Sequence, residues 1–386
     1  MNLFAKLSVC LCLCHTPIAN AEPPRDTTCE DNAAWGYINK SGDVVIPLKF
    51  ERASSFHEGL AAVRWKGKGW GYLSNTGKIV VPPNYNYAGN FKEGVACVQK
   101  KGKSASWITI DAKGKRVFKE FENCVQPSDG LILTTKEGER GYYDLSGKLV
   151  KPLGKSWWSK LTKETPEYHE FKSNLAAINF PEGDGLGQCG FLDKSGKIVE
   201  IKIKNKCAVF DVHGDRAKVM VSNSKTNSFK YGFVDRQGQF KIDAKYESAG
   251  EFYQGFVSVE RKYRWGFIDK NGKILIPLKY GFEDYDREHD FMNSDPRFVE
   301  GLALLYTGRK YSDVQKWFFF NTSGKIAINV GVAQIVMAFS EGLAFVSNDS
   351  KWFIDKKGKR VLDVSQYYEN GGHFKSGLLA VCKPQK

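Results

Sequence analysis

Apolar residues in this sequence come in short blocks separated by polar turns, and the blocks recur. Trp35-Gly36-Tyr37-Ile38 leads through Asn39-Lys40-Ser41-Gly42 into Val44-Val45-Ile46-Pro47. The same order returns at Trp70-Gly71-Tyr72-Leu73 and at Trp265-Gly266-Phe267-Ile268. A block, a glycine turn and a second block ending at proline read as a β-hairpin. Glycine supplies the positive φ of the turn, and proline, unable to donate to a ladder, ends the strand. A further block follows a Glu-Gly pair, as in Glu58-Gly59-Leu60-Ala61-Ala62-Val63, and reads as a third strand. No segment sustains a 3.6-residue period, so α-helix is expected to be minor.

The turn glycines Gly42, Gly77, Gly114, Gly147, Gly196, Gly238, Gly272, Gly324 and Gly358 mark nine units with a basic period near 35 residues. Units start near 35, 70, 107, 140, 189, 231, 265, 317 and 351, in one repeat domain spanning 35–386. Trp35, Trp70, Trp107, Trp265 and Trp317 fill the same slot, seven residues before the glycine. Arg140, Cys189, Tyr231 and Lys351 fill it elsewhere. A tryptophan repeated at one slot beside a glycine reads as the large core residue of its unit rather than as a ligand platform. Val44-Val45-Ile46 and Leu60 to Val63 are apolar on both faces, the pattern of strands buried on both sides. The expectation is an all-β fold of about nine tandem three-stranded repeats in a propeller-like radial array. An open curved β-solenoid of the same units is the alternative.

The Trp-Gly pair, the Asp-Lys-x-Gly-Lys turn, the Ile-Pro ending and the Glu-Gly-Leu-Ala close resemble the WG-repeat (KWG-repeat) family of bacteria. The resemblance covers roughly 35–382, and units four, five and nine depart from it at the Trp slot.

Composition and the start of the sequence add a location. Residues 1–21 have the form of a signal peptide: Lys6, the apolar run Leu7 to Leu13, and the small-x-small site Ala19-Asn20-Ala21. Val9, Leu11 and Leu13 precede the leader cysteines, which disfavours a lipoprotein. Residues 22–34 are a lead-in. The mature protein is expected to be exported, periplasmic or secreted, with no membrane span. Six cysteines remain after cleavage: Cys29, Cys97, Cys124, Cys189, Cys207 and Cys382. A Cys29–Cys382 bridge would close a ring. Cys124 and Cys207 fall in a small-residue slot that holds Ala53, Ala88 and Ala249 elsewhere, and Cys97 falls at the position of Ala62, so packing competes with disulfides there.

The formal charge of +14 favours anionic partners. Lysine follows the turn glycine at Lys78, Lys115, Lys148, Lys197, Lys273, Lys325 and Lys359, and regular stacking would set these on one rim. They could bind a multivalent anion, or simply solvate turns and deter edge pairing. Insertions at 154–171, with Trp157, Trp158 and Tyr168, and at 281–298, which is rich in acid, are the individual parts of the molecule and the expected contact loops.

Gly185-Leu186-Gly187-Gln188-Cys189-Gly190 leads into a strand rather than out of one, which excludes dinucleotide binding. The histidines show no metal-ligand spacing, and Asp284 to Asp290 lacks the glycine and distal glutamate of a calcium loop. No cofactor, metal or nucleic-acid partner is expected. Aspartates that recur with the turns read as turn residues. The functional expectation is an exported, non-enzymatic scaffold that binds another protein in the cell envelope, with an inhibitor or immunity type as one concrete form. Attachment to an anionic lipid headgroup, lipopolysaccharide or glycan through the lysine rim is the alternative, and a hydrolase with a loop-built site is the third.

Overall fold

The hairpins of the sequence assemble into sheets that stand side by side around an axis. The computed structural model describes residues 33–102, 107–117, 126–136, 139–153, 167–182, 185–223, 228–282, 296–308, 315–369 and 373–384. Among these there is no helix. Cys29, Trp157, Trp158 and the acidic run 284–290 lie outside the described residues.

Each sheet, or blade, is an antiparallel meander whose strands are lettered a to d. Blade II shows the plan: Arg52–Ala53, Leu60–Trp65, Gly69–Ser74 and Ile79–Ala88. Blade III follows at Val95–Lys100 and Trp107–Asp111, and blade IV at Leu131–Lys136, Glu139–Asp144 and Leu149–Pro152. Blades V to IX begin at Glu167, Cys207, Ser248, Phe298 and Ile335. Blade I is assembled from both ends of the described sequence. Tyr368–Glu369 and Leu378–Pro384 supply strands a and b, and Ala33–Asn39 and Val44–Phe50 supply c and d. The Glu-Gly-Leu-Ala strand of one sequence unit therefore pairs with the Trp-Gly strand of the next unit, as Leu60–Trp65 does with Gly69–Ser74.

The structure adds a fourth strand to the three expected. Strand a is often only two residues long, as in Arg52–Ala53, Ser248–Ala249 and Ile335–Val336. It lies at the inner edge, opposite the exposed strand d. Leu60 to Val63 are buried on both faces as the sequence implied. Val44 and Val45 are not: they are 49% and 42% exposed, and only Ile46 of that run points inward. The reason is position, since strand d is the outer edge of its blade and has a solvent face.

Seams between blades hold the core. Nine clusters of buried side chains lie among the described residues, each uniting consecutive blades. An open row of nine blades would have one seam fewer. The ninth joins blade IX to blade I through Phe345, Phe353 and Leu362 against Ile38, Leu379 and Val381. Ala33 to Asn39 pair with Pro384 to Leu378 over seven residues. The blades thus form a closed circuit, which favours the radial array over the open solenoid.

An aromatic pair crosses most seams. The residue two places after the Trp slot meets a phenylalanine of the next blade: Tyr37–Phe56, Tyr72–Phe91, Tyr142–Phe171, Phe233–Phe252, Phe267–Phe298, Phe319–Phe339 and Phe353–Phe374, with centroids 4.7–5.1 Å apart. Where the first ring is tyrosine, its hydroxyl donates to a carbonyl of the next blade, as Tyr37 Oη does to Ser54 O at 2.8 Å. Trp35, Trp70 and Trp265 are buried beside these pairs, while Trp107 and Trp317 are half-buried. Gly36 is required by closeness: a Cβ there would lie 2.5 Å from Ile46 O of strand d.

Seam V/VI is built differently. Val212 stands where other blades place the phenylalanine, and Cys189 in the Trp slot bonds Cys207 in the alanine slot, with Cα atoms 5.7 Å apart. A staple thus replaces the tryptophan–alanine contact. Cys97 and Cys382 are disulfide-bonded as well.

Phe267→Ala is expected to lower unfolding free energy by ~3–5 kcal/mol, whereas Ile274→Ala, at a position 58% exposed on strand d, should stay within about 0.5 kcal/mol of the parent. Urea unfolding of the two variants checks this, and equal losses would refute the assignment of core and edge. The Cys189–Cys207 bridge closes a loop with a sequence separation of 18, so the Cys189→Ala/Cys207→Ala variant should lose about 3 kcal/mol. Added reductant should produce a larger loss in the parent, because it also opens the bonds of Cys97 and Cys382.

Candidate binding face

Strands a and b meet at one end of every blade, and strands c and d meet at the same end. Both turn families therefore share a face, the a–b turns near the axis and the c–d turns outside them.

Outside blade VI, where Gly214 but not Asp215 has positive φ, the a–b turns are two-residue hairpins with both residues left-handed: Glu58 and Gly59 have φ of 51° and 80°, and Glu93, Gln254, Glu300 and Glu341 repeat the glutamate-type position at 49–52°. Positive φ at both central residues is the type I′ turn, whose twist suits the flanking strands. Glycine at the second place follows from that geometry, and the first residue is explained by its neighbour. The Glu58 carboxylate accepts from the amides of Glu93 and Gly94 at 2.7 and 2.8 Å. Glu93 accepts from Asp129 and Gly130 at 3.0 and 2.9 Å, and Asp129 from Asn174 at 2.6 Å. Glu300 accepts from Gly342, and Glu341 from Gly377. Gln254 does the same for Gly301 with its amide oxygen, at 3.2 Å. Every one of these groups caps the turn of the following blade, head to tail around the axis.

Basic residues that enter the c–d turns reach one blade backward and fix the same ring. Lys40 Nζ donates to Glu341 O at 2.7 Å, Lys194 to Asp129 O at 2.8 Å and Arg236 to Ser173 O at 2.7 Å. Lys356 binds both the carbonyl and the carboxylate of Glu300, at 3.2 and 3.1 Å. The turn aspartates serve their own loops. Asp111 accepts from the amides of Lys113 and Lys115, and Asp144, Asp193, Asp235, Asp269 and Asp355 repeat this arrangement. Hydrogen bonds from Ser146 and Ser195 hold the Asp144 and Asp193 carboxyls below the usual range.

Lys78, Lys115, Lys148, Lys197, Lys273, Lys325 and Lys359 follow the c–d turns on this face. All seven are exposed, and none makes an ion pair among the described residues. Residues 154–166 and 283–295 of the two insertions lie outside the described residues, and the strands before them run toward the opposite face. These strands end at Pro152 and Phe282. Tyr168 is half-buried and packs into seam IV/V, and Cys382 is disulfide-bonded. The sequence shows the Glu-Gly pair as a repeated ending, but the job of its carboxylate emerges only when turns about 35 residues apart become neighbours.

The WG-containing repeat family matches at residues 35–68, 70–103, 231–263, 265–282 and 317–352. The protein carries WG repeats. The matched stretches centre on blades I–III, VI–VII and VIII–IX, where the aromatic and turn pattern is most regular. Comparison with curated proteins gives no match. Among solved structures, a eukaryotic initiation factor superposes with a TM-score of 0.53 at 12% identity, over 92% of this protein and 99% of that one, a likeness of fold. The β-propeller domain of the Trilobed protease from Pyrococcus furiosus gives a TM-score of 0.35 at 10% identity, over 71% and 91% of the two proteins. Oligopeptidase B from Leishmania major gives 0.43 at 8%, over 85% of the WG-repeat protein and 54% of its own length.

Partial burial raises the Glu300 carboxyl, but hydrogen bonds from Lys356 and Gly342 outweigh it and hold the group below its ordinary 4.5. A depressed carboxyl stabilises the fold above its unfolded value, and that contribution disappears as pH falls through the folded value. Glu300→Gln should therefore be less stable than the parent near neutral pH, with the gap closing below pH 4.5. Thermal unfolding across a pH series measures it, and a gap that stayed constant into strong acid would contradict the linkage.

Proposed function

We propose that this WG-repeat protein is an exported, non-enzymatic scaffold that docks an acidic protein partner on its turn face. The observation that carries this reading is the set of seven exposed lysines at equivalent turns of one face. The acids that recur with them are committed to hydrogen bonds of the scaffold, which supports a structural rather than a catalytic role. Export draws support from cysteine usage: Cys97, Cys189, Cys207 and Cys382 are all in disulfides, a state that persists in oxidising compartments.

One feature favours a second reading. The lysines are spread around the perimeter rather than gathered at one place, an arrangement that matches an extended anionic surface such as lipid headgroups, lipopolysaccharide or glycan. The same variant tests both. Lys273→Glu/Lys325→Glu/Lys359→Glu should bind poly-glutamate at least about tenfold more weakly than the parent at low salt, and the parent's binding should fall steeply as salt rises toward about 150 mM. Stronger parent binding to anionic vesicles than to the polypeptide would select the surface reading. Unchanged affinity of the triple variant for both probes would refute a role for the lysine face.

A further inference from the structure

The head-to-tail caps of the a–b turns are incomplete, and one gap carries more than a missing side chain. Five carboxylates and the Gln254 amide cap six following turns, whereas blades I, V and VI place Ser376, Ser173 and Gly214 at that position. At seam VI/VII, Gly214 has no side chain to offer the amides of Gln254 and Gly255. That turn has the same left-handed pair, with φ of 52° and 85°, as the turns that do receive a carboxylate.

Arg216 stands beside this gap. It begins strand b of blade VI, at a position that holds Leu60, Val95, Leu175, Leu302, Leu343 or Leu378 in other blades. Its equivalents in those blades face the next blade, as Leu60 does in seam II/III. Arg216 is 8% exposed, and its Nε is buried without a hydrogen-bond partner. Nη1 binds Asp215, at 2.8 Å to Oδ2 and 3.1 Å to the carbonyl, and Nη2 reaches across the seam to Lys270 O at 3.4 Å. Lys218, two residues along the strand, is already taken by Glu251 at 2.9 Å and Ala249 O at 3.1 Å. Leaving a guanidinium N–H buried and unpaired is costly, and a carboxylate is the group that this protein itself places against such turn amides.

We propose that the notch formed by the Gln254–Gly255 turn and Arg216 binds a carboxylate supplied by the partner, from an acidic residue or from the end of a polypeptide. The external carboxylate occupies the place that Glu58 or Glu93 fills at other seams, accepts from the two turn amides and from Arg216 Nε, and gives the lysine face a fixed point of register. This deepens the acidic-partner reading and rests on it for the source of the carboxylate. The notch can be tested without that partner.

The full-length protein, isotopically labelled, is titrated with sodium acetate against sodium chloride at matched ionic strength, following the Gln254 and Gly255 amides and Arg216 Nε–H by NMR. Saturable shifts of these resonances with acetate are expected, unaffected in Lys325→Glu/Lys359→Glu. Gly214→Glu should abolish them by filling the notch from within. A Cβ at Gly214 meets no atom within 4 Å, although the positive φ of 65° there adds backbone strain. Gly214→Gln, which copies the Gln254 arrangement, replaces that variant if it does not fold. Equal shifts with chloride, no saturation with acetate, or shifts that persist when the notch is filled would overturn the proposal. Loss of poly-glutamate binding in the lysine variant with acetate shifts intact would leave the notch standing and locate the defect on the rim.

Discussion

The ring-on-ring contact across seven of the nine seams sets the geometry on which the other features depend. A circuit of blades closes only if every seam contributes nearly the same angle, and a buried aromatic pair at 4.7–5.1 Å fixes that angle locally. Such a pair adds about 0.5–1.5 kcal/mol beyond its burial, so its value lies as much in orientation as in energy. Phenylalanine or tyrosine serves equally as the first ring, provided the tyrosine hydroxyl finds its carbonyl, as Tyr72 does with Gly89 O at 2.7 Å. At seam V/VI, where Val212 cannot make the pair, the Cys189–Cys207 bond constrains the same two blades covalently. This seam keeps the constraint while changing the chemistry.

Closure follows from how strands are shared. Because the first described strands complete a sheet begun by the last ones, the ends of the array are held by a seven-residue ladder rather than by side chains alone. Bringing together segments so distant in sequence costs roughly 5 kcal/mol of loop entropy. Burial of Ile38, Leu379 and Val381 in the ninth seam, at about 1.5–3 kcal/mol each, is enough to offset it alongside the ladder. A sheet split in this way also makes the first and last blades one cooperative unit, so neither end can fray without opening the circuit.

Much of this was legible in the sequence. Turn glycines, Trp-Gly pairs and proline endings announce hairpins because each answers a local backbone demand, and their recurrence gives the count of units. Four things were not legible, for physical reasons. A strand as short as Arg52–Ala53 has no period to read. An apolar run such as Val44-Val45 does not reveal that its strand lies on an outer edge, where a hydrophobic residue is tolerated in water. Cys189 and Cys207 each occupied a recognisable slot, but that the Trp slot of one unit faces the alanine slot of the next is a fact of tertiary packing. The lysine tips were periodic and therefore visible, whereas the caps by Glu58 and Glu93 depend on turns meeting in space.

The turn face consequently carries a radial pattern of charge. Carboxylates of Glu58, Glu93, Asp129, Glu300 and Glu341 sit on the inner turns, each bound to backbone amides of the next, and lysines stand on the outer turns. Lys356 and Lys40 neutralise Glu300 and Glu341 of the inner circle, whereas none of the seven outer lysines is ion-paired among the described residues. An acidic surface is attracted at the perimeter and repelled at the inner ring, except where the ring lacks its carboxylate. Gly214 makes such a break in blade VI, and Arg216 beside it, paired with Asp215 through Nη1, keeps a buried Nε–H without a partner. A partner that is uniformly acidic would slide around the perimeter, because Lys78, Lys115 and Lys273 present equivalent charges. Of the three breaks in the inner ring, at Ser376, Ser173 and Gly214, the one beside Arg216 supplies the asymmetry that a repeated scaffold otherwise lacks.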